Sequence, residues 1–250
     1  MLTRTRSDGP VVRNYNHQVH ALLQKWHSAR GGGLLASPEY HPIDPLWLMW
    51  CADQHDAAVH IPRAWDTIAT YEVFKRENLE QFVLFREAGY KIDLWPGLGE
   101  PYPNSNAMLH DVRDSRHLWV YRTAEDDLPG HHPLAVTPIS GSLENEVFRG
   151  VHNLSSHAWG GFPFSARGEE SACRAHLTLY SAAAHPALVA ETRMQNFGRR
   201  RRTPDGMGIP RGMTYVPLEY APQKAYGPAY GAMAYEQWKA NVHDREELHV

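Results

Sequence analysis

The sequence lacks several features by which common protein classes are recognised. Its two cysteines are too few for a disulfide framework and fit a reducing cytoplasm. No apolar run approaches the roughly 18 residues of a membrane span. Residues 1–12 hold no apolar signal-peptide core, and a net charge of −3 gives no general attraction for nucleic acid. We therefore expect a cytoplasmic protein that binds neither membranes nor nucleic acid, and leave assembly into a homo-oligomer open.

Familiar catalytic motifs are missing as well. The chain has no HExxH zinc-protease helix, no CxxC pair, no P-loop and no GxSxG elbow. What it has in abundance is histidine, with sixteen residues that are scattered rather than grouped as a tag. Eight tryptophans, twelve tyrosines and seven phenylalanines add enough aromatic area for a core and for the walls of a pocket. This composition favours a search for a metal site or an acid–base site.

The spacing of apolar residues predicts a mainly α fold with a small β element, in a single compact helical domain. Helices are expected over 14–29, 64–88, 143–157, 168–182, 186–198 and 234–243. Short strands are expected at 90–95 and 117–123, with loops at 96–108 and 124–142. In this interpretation residues 1–12 are a flexible arm. Residues 13–250 form the catalytic domain, with a helical core at 143–198 and a wrapping tail at 199–250.

The stretch FRGVHNLSSHAW, residues 148–159, contains the first candidate metal ligands. In a regular α-helix His152 and His157 would point about 140° apart, too far to bind one ion. Ser155 and Ser156 stand between them and are poor residues for a helix interior. We therefore predict that the helix loosens there, so that both imidazoles converge. Two histidines and one carboxylate on one face of an ion are typical of non-haem Fe(II) oxygenases.

Three glutamates are candidates for the third ligand: Glu169, Glu170 and Glu191. A polar stripe at helical spacing follows on the predicted helix 168–182, formed by Glu169, Cys173, His176 and Tyr180. Such a polar stripe fits the wall of a cavity better than it fits a solvent-exposed face or a face packed in the apolar core. The alternatives are that Glu169 and Glu170 favour a helix N-terminus, that Glu191 lies on a solvated face, and that the histidines are satisfied core residues.

Residues 148–159 followed by ALVAETRMQN resemble the metal-binding segment of the pterin-dependent aromatic amino acid hydroxylases. In that family a His-Asp-x-x-Gly-His stretch supplies two iron ligands, and a glutamate on a later helix supplies the third. The resemblance implies that His152, His157 and Glu191 bind iron. It covers residues 148–196 only, Asn153 and Ser156 replace the family's Asp and Gly, and no pterin-binding feature can be placed.

Our first hypothesis is a mononuclear non-haem iron oxygenase that uses O2 to oxidise a small aromatic or amino-acid-like molecule. Fe(II) would be held by the two histidines with Glu191, or else with Glu169 or Glu170. His176, Arg193 and Tyr180 are the candidate catalytic residues, with Arg193 pairing with a substrate carboxylate. The sequence identifies no reductant.

Other hypotheses use the same histidines with another cofactor. One of His152, His157 or His176 would bind haem, or a second metal would be held by His176 with Glu169 or Glu170. Zinc would make the protein a hydrolase if a coordination position stays open, and a structural metal protein if none does.

Overall fold

The computed structural model describes residues 15–124, 128–139, 141–201, 223–226 and 235–247. Within these residues the fold is mainly α with a small β element, which confirms the predicted class. The α-helices are α1 (His17–Ala29), α2 (Pro45–Ala57), α3 (Trp65–Glu87), α4 (Ser105–Ser115), α5 (Glu144–His152), α6 (Ala166–Leu177), α7 (His185–Val189), α8 (Gln195–Arg201) and α9 (Tyr235–Glu247). Two π-helical turns, Asn153–Ala158 and Ala190–Met194, extend α5 and α7.

The long helix α3 lies against α5 and α7 and supplies much of the main core. Phe74 and Phe85 are fully buried there, and Phe74 packs its ring against Phe148 of α5 with centroids 5.1 Å apart. Polar residues of α3 are buried as well, and one of them, Gln81, accepts a hydrogen bond from Ser155 at 2.8 Å. The helix therefore contributes both apolar packing and a polar tie to the first π-helical turn.

A two-stranded parallel sheet pairs β1 (Lys91–Leu94) with β2 (His117–Val120). The prediction of a loop over 96–108 is wrong at its end, because α4 begins at Ser105 and connects the strands. The side chain of Asn104 caps this helix by accepting from the backbone of Ala107 at 3.0 Å. Its apolar residues, Met108, Leu109 and Val112, share one face and are buried.

Helix α5 crosses this sheet very closely at Gly150. A Cβ atom added there would lie 3.1 Å from Cγ2 of Ile92 and 3.4 Å from Cγ2 of Val120. A larger residue would force the helix away from the sheet, because buried side chains leave little spare room. The sheet therefore fixes the distance at which α5 packs against it. This distance also determines the position of His152 at the end of the helix.

A second apolar cluster joins α2, α8 and α9. Trp47 of α2 is almost fully buried in it and packs against Trp238 of α9. Pro45 is the first residue of α2, where its missing N–H costs nothing. The segment 223–226 crosses nearby and is anchored by Lys224, whose ammonium donates to the carbonyl oxygens of His55 and Ala58.

The predicted arm, residues 1–12, lies outside the described residues, as does most of the predicted tail. Of that tail, α8 and α9 are helical, and Ala225 and Tyr226 are buried in the core clusters. No helix in the described part of the chain is long and apolar enough to cross a membrane.

Candidate metal centre

The first π-helical turn brings His152 and His157 onto one face. In a π-helix each N–H bonds to the carbonyl five residues earlier, so residues five apart lie much closer to one face than they do in an α-helix. The two imidazole rings are consequently neighbours, with centroids 5.0 Å apart. The hydroxyl of Ser156 donates to the backbone carbonyl of His152, and Ser155 ties the turn to α3. Both serines are fully buried, so they are integral parts of this turn.

Helix α6 supplies the carboxylate. Ser165 caps its N-terminus by accepting from Gly168, and a Cβ added at Gly168 would lie only 1.8 Å from the carbonyl oxygen of Pro163. This close approach holds the first turn of α6, and Glu169 within it, against the loop that follows the π-helical turn. Oε2 of Glu169 then lies 3.3 Å from Nε2 of His157 and 3.8 Å from Nε2 of His152.

His152, His157 and Glu169 form a group whose ligand atoms all lie within 4.8 Å of one another. No other such group of three histidine, cysteine or acidic residues occurs in the described part of the chain. Two ligands bound at about 2.1 Å to one ion are at most about 4.2 Å apart, so small side-chain adjustments would complete the coordination.

The hydrogen bonds of His157 give the strongest indication of a cation. Its Nδ1 lies 3.1 Å from the carbonyl oxygen of Phe162, which only accepts, so Nδ1 carries the proton. In the neutral ring Nε2 therefore presents a lone pair towards the carboxylate of Glu169. Two acceptors that face each other at 3.3 Å repel unless a proton or a metal ion lies between them, so this contact fits a cation at the site. A carbonyl that fixes the distal nitrogen in this way is typical of metal-bound histidine.

The surroundings of the other two ligands favour the protonation states that a metal requires. Burial lowers the pKa of His152, which favours the neutral imidazole even though Glu169 acts in the opposite direction. Burial alone would raise the pKa of Glu169, but the adjacent His157 and His152 outweigh it and hold the pKa well below its usual range. A neutral imidazole and a carboxylate are the forms that bind cations.

His176 lies behind His152, on the side away from Glu169. The Nδ1 atoms of the two rings are 3.1 Å apart, so one donates and the other accepts. Burial, together with the neighbouring imidazoles, places the pKa of His176 well below its usual value. If Nε2 of His152 binds an ion, its Nδ1–H donates to His176, which fixes the tautomer of the ligand. Nε2 of His176 has no hydrogen-bond partner among the described residues.

The other two predicted catalytic residues have different surroundings. Arg193 donates to both oxygens of Glu170, at 2.7 and 2.9 Å, and this pair is buried. Glu170, which also accepts from Arg174, is thus occupied by two guanidinium groups and is turned away from the histidines. Tyr180 lies beyond the end of α6; its hydroxyl donates to Asn78 and its ring edge contacts His176.

Glu191, the carboxylate ranked first from the sequence, belongs to a separate set of hydrogen bonds. It accepts from the hydroxyl of Tyr71 and from the side-chain amide of Gln223, and Nε2 of His132 lies 3.2 Å away. The second π-helical turn instead directs Asn196, five residues after Glu191, to Glu169, where its amide donates to Oε2 at 3.1 Å. Among the three glutamates, the structure places Glu169 beside both imidazoles.

A cavity of about 740 Å³ adjoins this group. His152, His157 and Glu169 contribute to its wall, and the side chains of His152 and Glu169 stay 11% and 12% exposed. Three protein ligands at a cavity wall leave coordination positions open to small molecules. Arg149 and Gln223 are among the lining residues that sequence reasoning missed. Arg149 was detectable, because it stands three residues before His152 on the same helical face.

Comparisons of the whole chain with known proteins gave no relative. No family model, no curated protein and no solved structure matches it. The function is therefore inferred from the geometry of the site.

Proposed function

We propose that this protein is a mononuclear metal enzyme whose ion is held by His152, His157 and Glu169. The observation that carries the proposal is the convergence of Nε2 of His152 and Nε2 of His157 on one carboxylate, that of Glu169, at the wall of a cavity. Two imidazole nitrogens and one carboxylate oxygen in this arrangement are a set of ligand atoms for a cation. The aromatic hydroxylase resemblance assigned the carboxylate to Glu191, and the present proposal assigns it to Glu169.

The reaction class that this ligand set favours is oxygenation by Fe(II). Two imidazoles and one carboxylate leave the opposite face of the ion open, and Fe(II) with open positions supplies the chemistry that activates O2. The chain's own contribution is to fix the ligands, through the carbonyl of Phe162 and the amide of Asn196, and to restrict the access of water. We propose a small aromatic molecule as substrate.

A zinc hydrolase is the second candidate, because two histidines and one glutamate are also a ligand set of catalytic zinc. The same open positions would then hold a water molecule of lowered pKa. The identity of the bound metal separates the two candidates, and a Soret absorption band would indicate haem instead.

The proposal is tested by metal analysis of protein produced in iron-supplemented medium and purified without oxygen. We expect about one iron per chain in the wild type, and iron content reduced at least about tenfold in His152→Ala, His157→Ala and Glu169→Gln, since each removes one of three ligands. Nitric oxide, an analogue of O2, should give an EPR signal of the iron–nitrosyl adduct only if a coordination position is open.

Glu191→Gln is the decisive comparison, because it alters a glutamate of the same cavity that lies in the other hydrogen-bond set. It should keep its iron, and the exposed variant Glu39→Gln should behave like the wild type. Iron that is lost in Glu191→Gln but retained in Glu169→Gln would refute our ligand assignment. Zinc at one equivalent in every preparation, with no iron uptake, would favour the hydrolase.

A further inference from the structure

One side of the cavity is built by the segment that connects β1 to α4. Residues 100–105 are the longest uninterrupted run of lining residues among those that the structure describes. Residues 96–101 have no helical or strand structure, and within the described part of the chain none of their backbone groups hydrogen-bonds to another backbone group. A surface segment without such bonds changes conformation at a low cost in free energy. This side of the cavity wall is therefore free to move.

The segment is fixed at both ends, and both anchors involve β2. At one end the backbone N–H of Trp95 donates to a carbonyl oxygen of β2 at 2.8 Å. At the other end the hydroxyl of Tyr102 donates to Asp111 at 2.7 Å and accepts from the backbone N–H of Trp119 at 2.8 Å. Burial raises the pKa of Tyr102, so the hydroxyl keeps the proton that it donates. Residues 96–101 thus lie between two fixed points.

Two glycines between these anchors allow the backbone to turn. Gly99 has a φ of +72°, which L side chains rarely adopt. Gly97 lies against the indole ring of Trp95, and a Cβ atom added there would come within 2.8 Å of that ring. The prolines at 96 and 101 restrict the backbone on either side. Bending is therefore concentrated in residues 97–100.

Leu98 stands between the two glycines and is fully exposed, more so than any other large apolar residue that the structure describes. Burial of a leucine side chain is favourable, so Leu98 gains free energy if it covers an apolar ligand. Glu100, two residues later, lines the cavity, and two residues of extended chain span about 7 Å. Leu98 is therefore within reach of the cavity.

We propose that residues 97–100 are a flap that closes over the cavity when a small aromatic molecule is bound, and that Leu98 covers this molecule. Phe148, Tyr121 and Pro163 give the cavity apolar surface for such a ligand. The exposed Leu98 of the structure corresponds to the open form. Closure excludes bulk water from the open coordination positions of the ion. The inference rests on the proposed function for the class of ligand, whereas the flap contains none of the metal ligands.

The test follows Leu98 by NMR in the full metal-free chain with 13C-labelled leucine methyl groups, while phenol is added as a small uncharged aromatic probe. We expect the methyl resonances of Leu98 to shift, because the ring of the bound phenol lies next to them. Amide hydrogen exchange of residues 98–100 should slow by at least about tenfold, since closure protects these groups from water. Leu34 is also exposed but does not line the cavity, so it is the matched control and should show neither change.

A substitution separates a flap from a passive loop. Leu98→Ser removes the apolar cover and should weaken phenol binding by about tenfold, near the lower end of the effect of burying a leucine side chain. Leu34→Ser should bind phenol like the wild type. Both residues are exposed, so neither substitution disturbs the core.

Two outcomes would overturn the inference: unchanged Leu98 resonances at saturating phenol, or equal phenol affinity of Leu98→Ser and the wild type. An absence of phenol binding would overturn it as well, because Leu98 would have no apolar ligand to cover. Cobalt titration of the same proteins tests the metal site separately. Closure on phenol without metal binding would refute the proposed function alone, and cobalt binding with an unresponsive flap would refute this inference alone.

Discussion

Glu169 and Glu170 are adjacent in sequence and have opposite surroundings. Glu170 accepts from Arg193 and Arg174, and although burial alone would raise its pKa, Arg193 outweighs this effect and lowers the pKa. Among the described residues, Glu169 has no arginine in its immediate contacts and faces two imidazoles and one amide. A buried carboxylate with an arginine partner is electrostatically complete, whereas one that faces lone pairs can accommodate a cation. Because adjacent residues leave a helix in different directions, Glu170 forms a structural ion pair while Glu169 is a candidate ligand.

The Glu170–Arg193 pair yields a prediction about stability. Replacement of Arg193 by Gln leaves a buried carboxylate with one partner fewer, so we expect the free energy of unfolding to fall by about 3–5 kcal/mol. Urea denaturation followed by circular dichroism measures it, with Arg149→Gln as the matched substitution that should cost under about 1 kcal/mol. A wild-type free energy of unfolding in Arg193→Gln would show that the buried Glu170–Arg193 pair does not stabilise the fold.

At the scale of elements, the two π-helical turns position the functional groups. The first aligns His152 with His157, and the second allows Asn196 to reach Glu169. A π-helical turn is rare in proteins and occurs frequently at functional sites, because the extra residue changes the direction in which side chains leave the helix. Here the extra residue converts a five-residue spacing, which is unsuitable in an α-helix, into a pair of neighbours.

The π-helical turn can be tested by moving one ligand. In an α-helix, residues four apart lie about 40° from each other, so Ser156→His combined with His157→Ser would improve the pair if the segment were α-helical. In the structure Oγ of Ser156 lies 3.2 Å from Nδ1 of His152, whereas Nε2 of His152 faces Glu169, so a histidine at position 156 would lie on the wrong side of His152 and we expect cobalt binding to be lost. The control is Ser156→Ala, which keeps both histidines. Tighter cobalt binding by the double variant would show that the segment is α-helical in solution.

The sequence predicted some of these elements and not others, for physical reasons. The long helix α3 follows from apolar residues at helical spacing, and the loosening between His152 and His157 follows from two buried serines that disfavour a regular helix. The choice between Glu169 and Glu191 depends on long-range contacts to Asn196, Tyr71 and Gln223, which no local pattern encodes. Helix α4 was missed because the prolines before it obscured the cap at Asn104.

The whole molecule is organised so that the candidate site does not hold the fold together. The main core and the second apolar cluster are extensive, and neither includes any of the three ligands. The ligands themselves come from two consecutive helical segments, which the loop 161–165 connects. An ion would therefore bridge segments that are already packed, and would add stability without being required for folding.

This arrangement predicts the effect of metal on thermal stability. A ligand that binds only the native state at about 100 times its Kd adds about 2.7 kcal/mol, which raises the Tm of a chain of this size by about 5–10 °C. Calorimetry with and without cobalt should show that rise in the wild type and none in Glu169→Gln. The chelated wild type should keep its helical circular dichroism and a cooperative transition, because its core is complete without the ion. Loss of the cooperative transition on chelation would instead identify a structural metal, and the open cavity beside the ligands would then need another explanation.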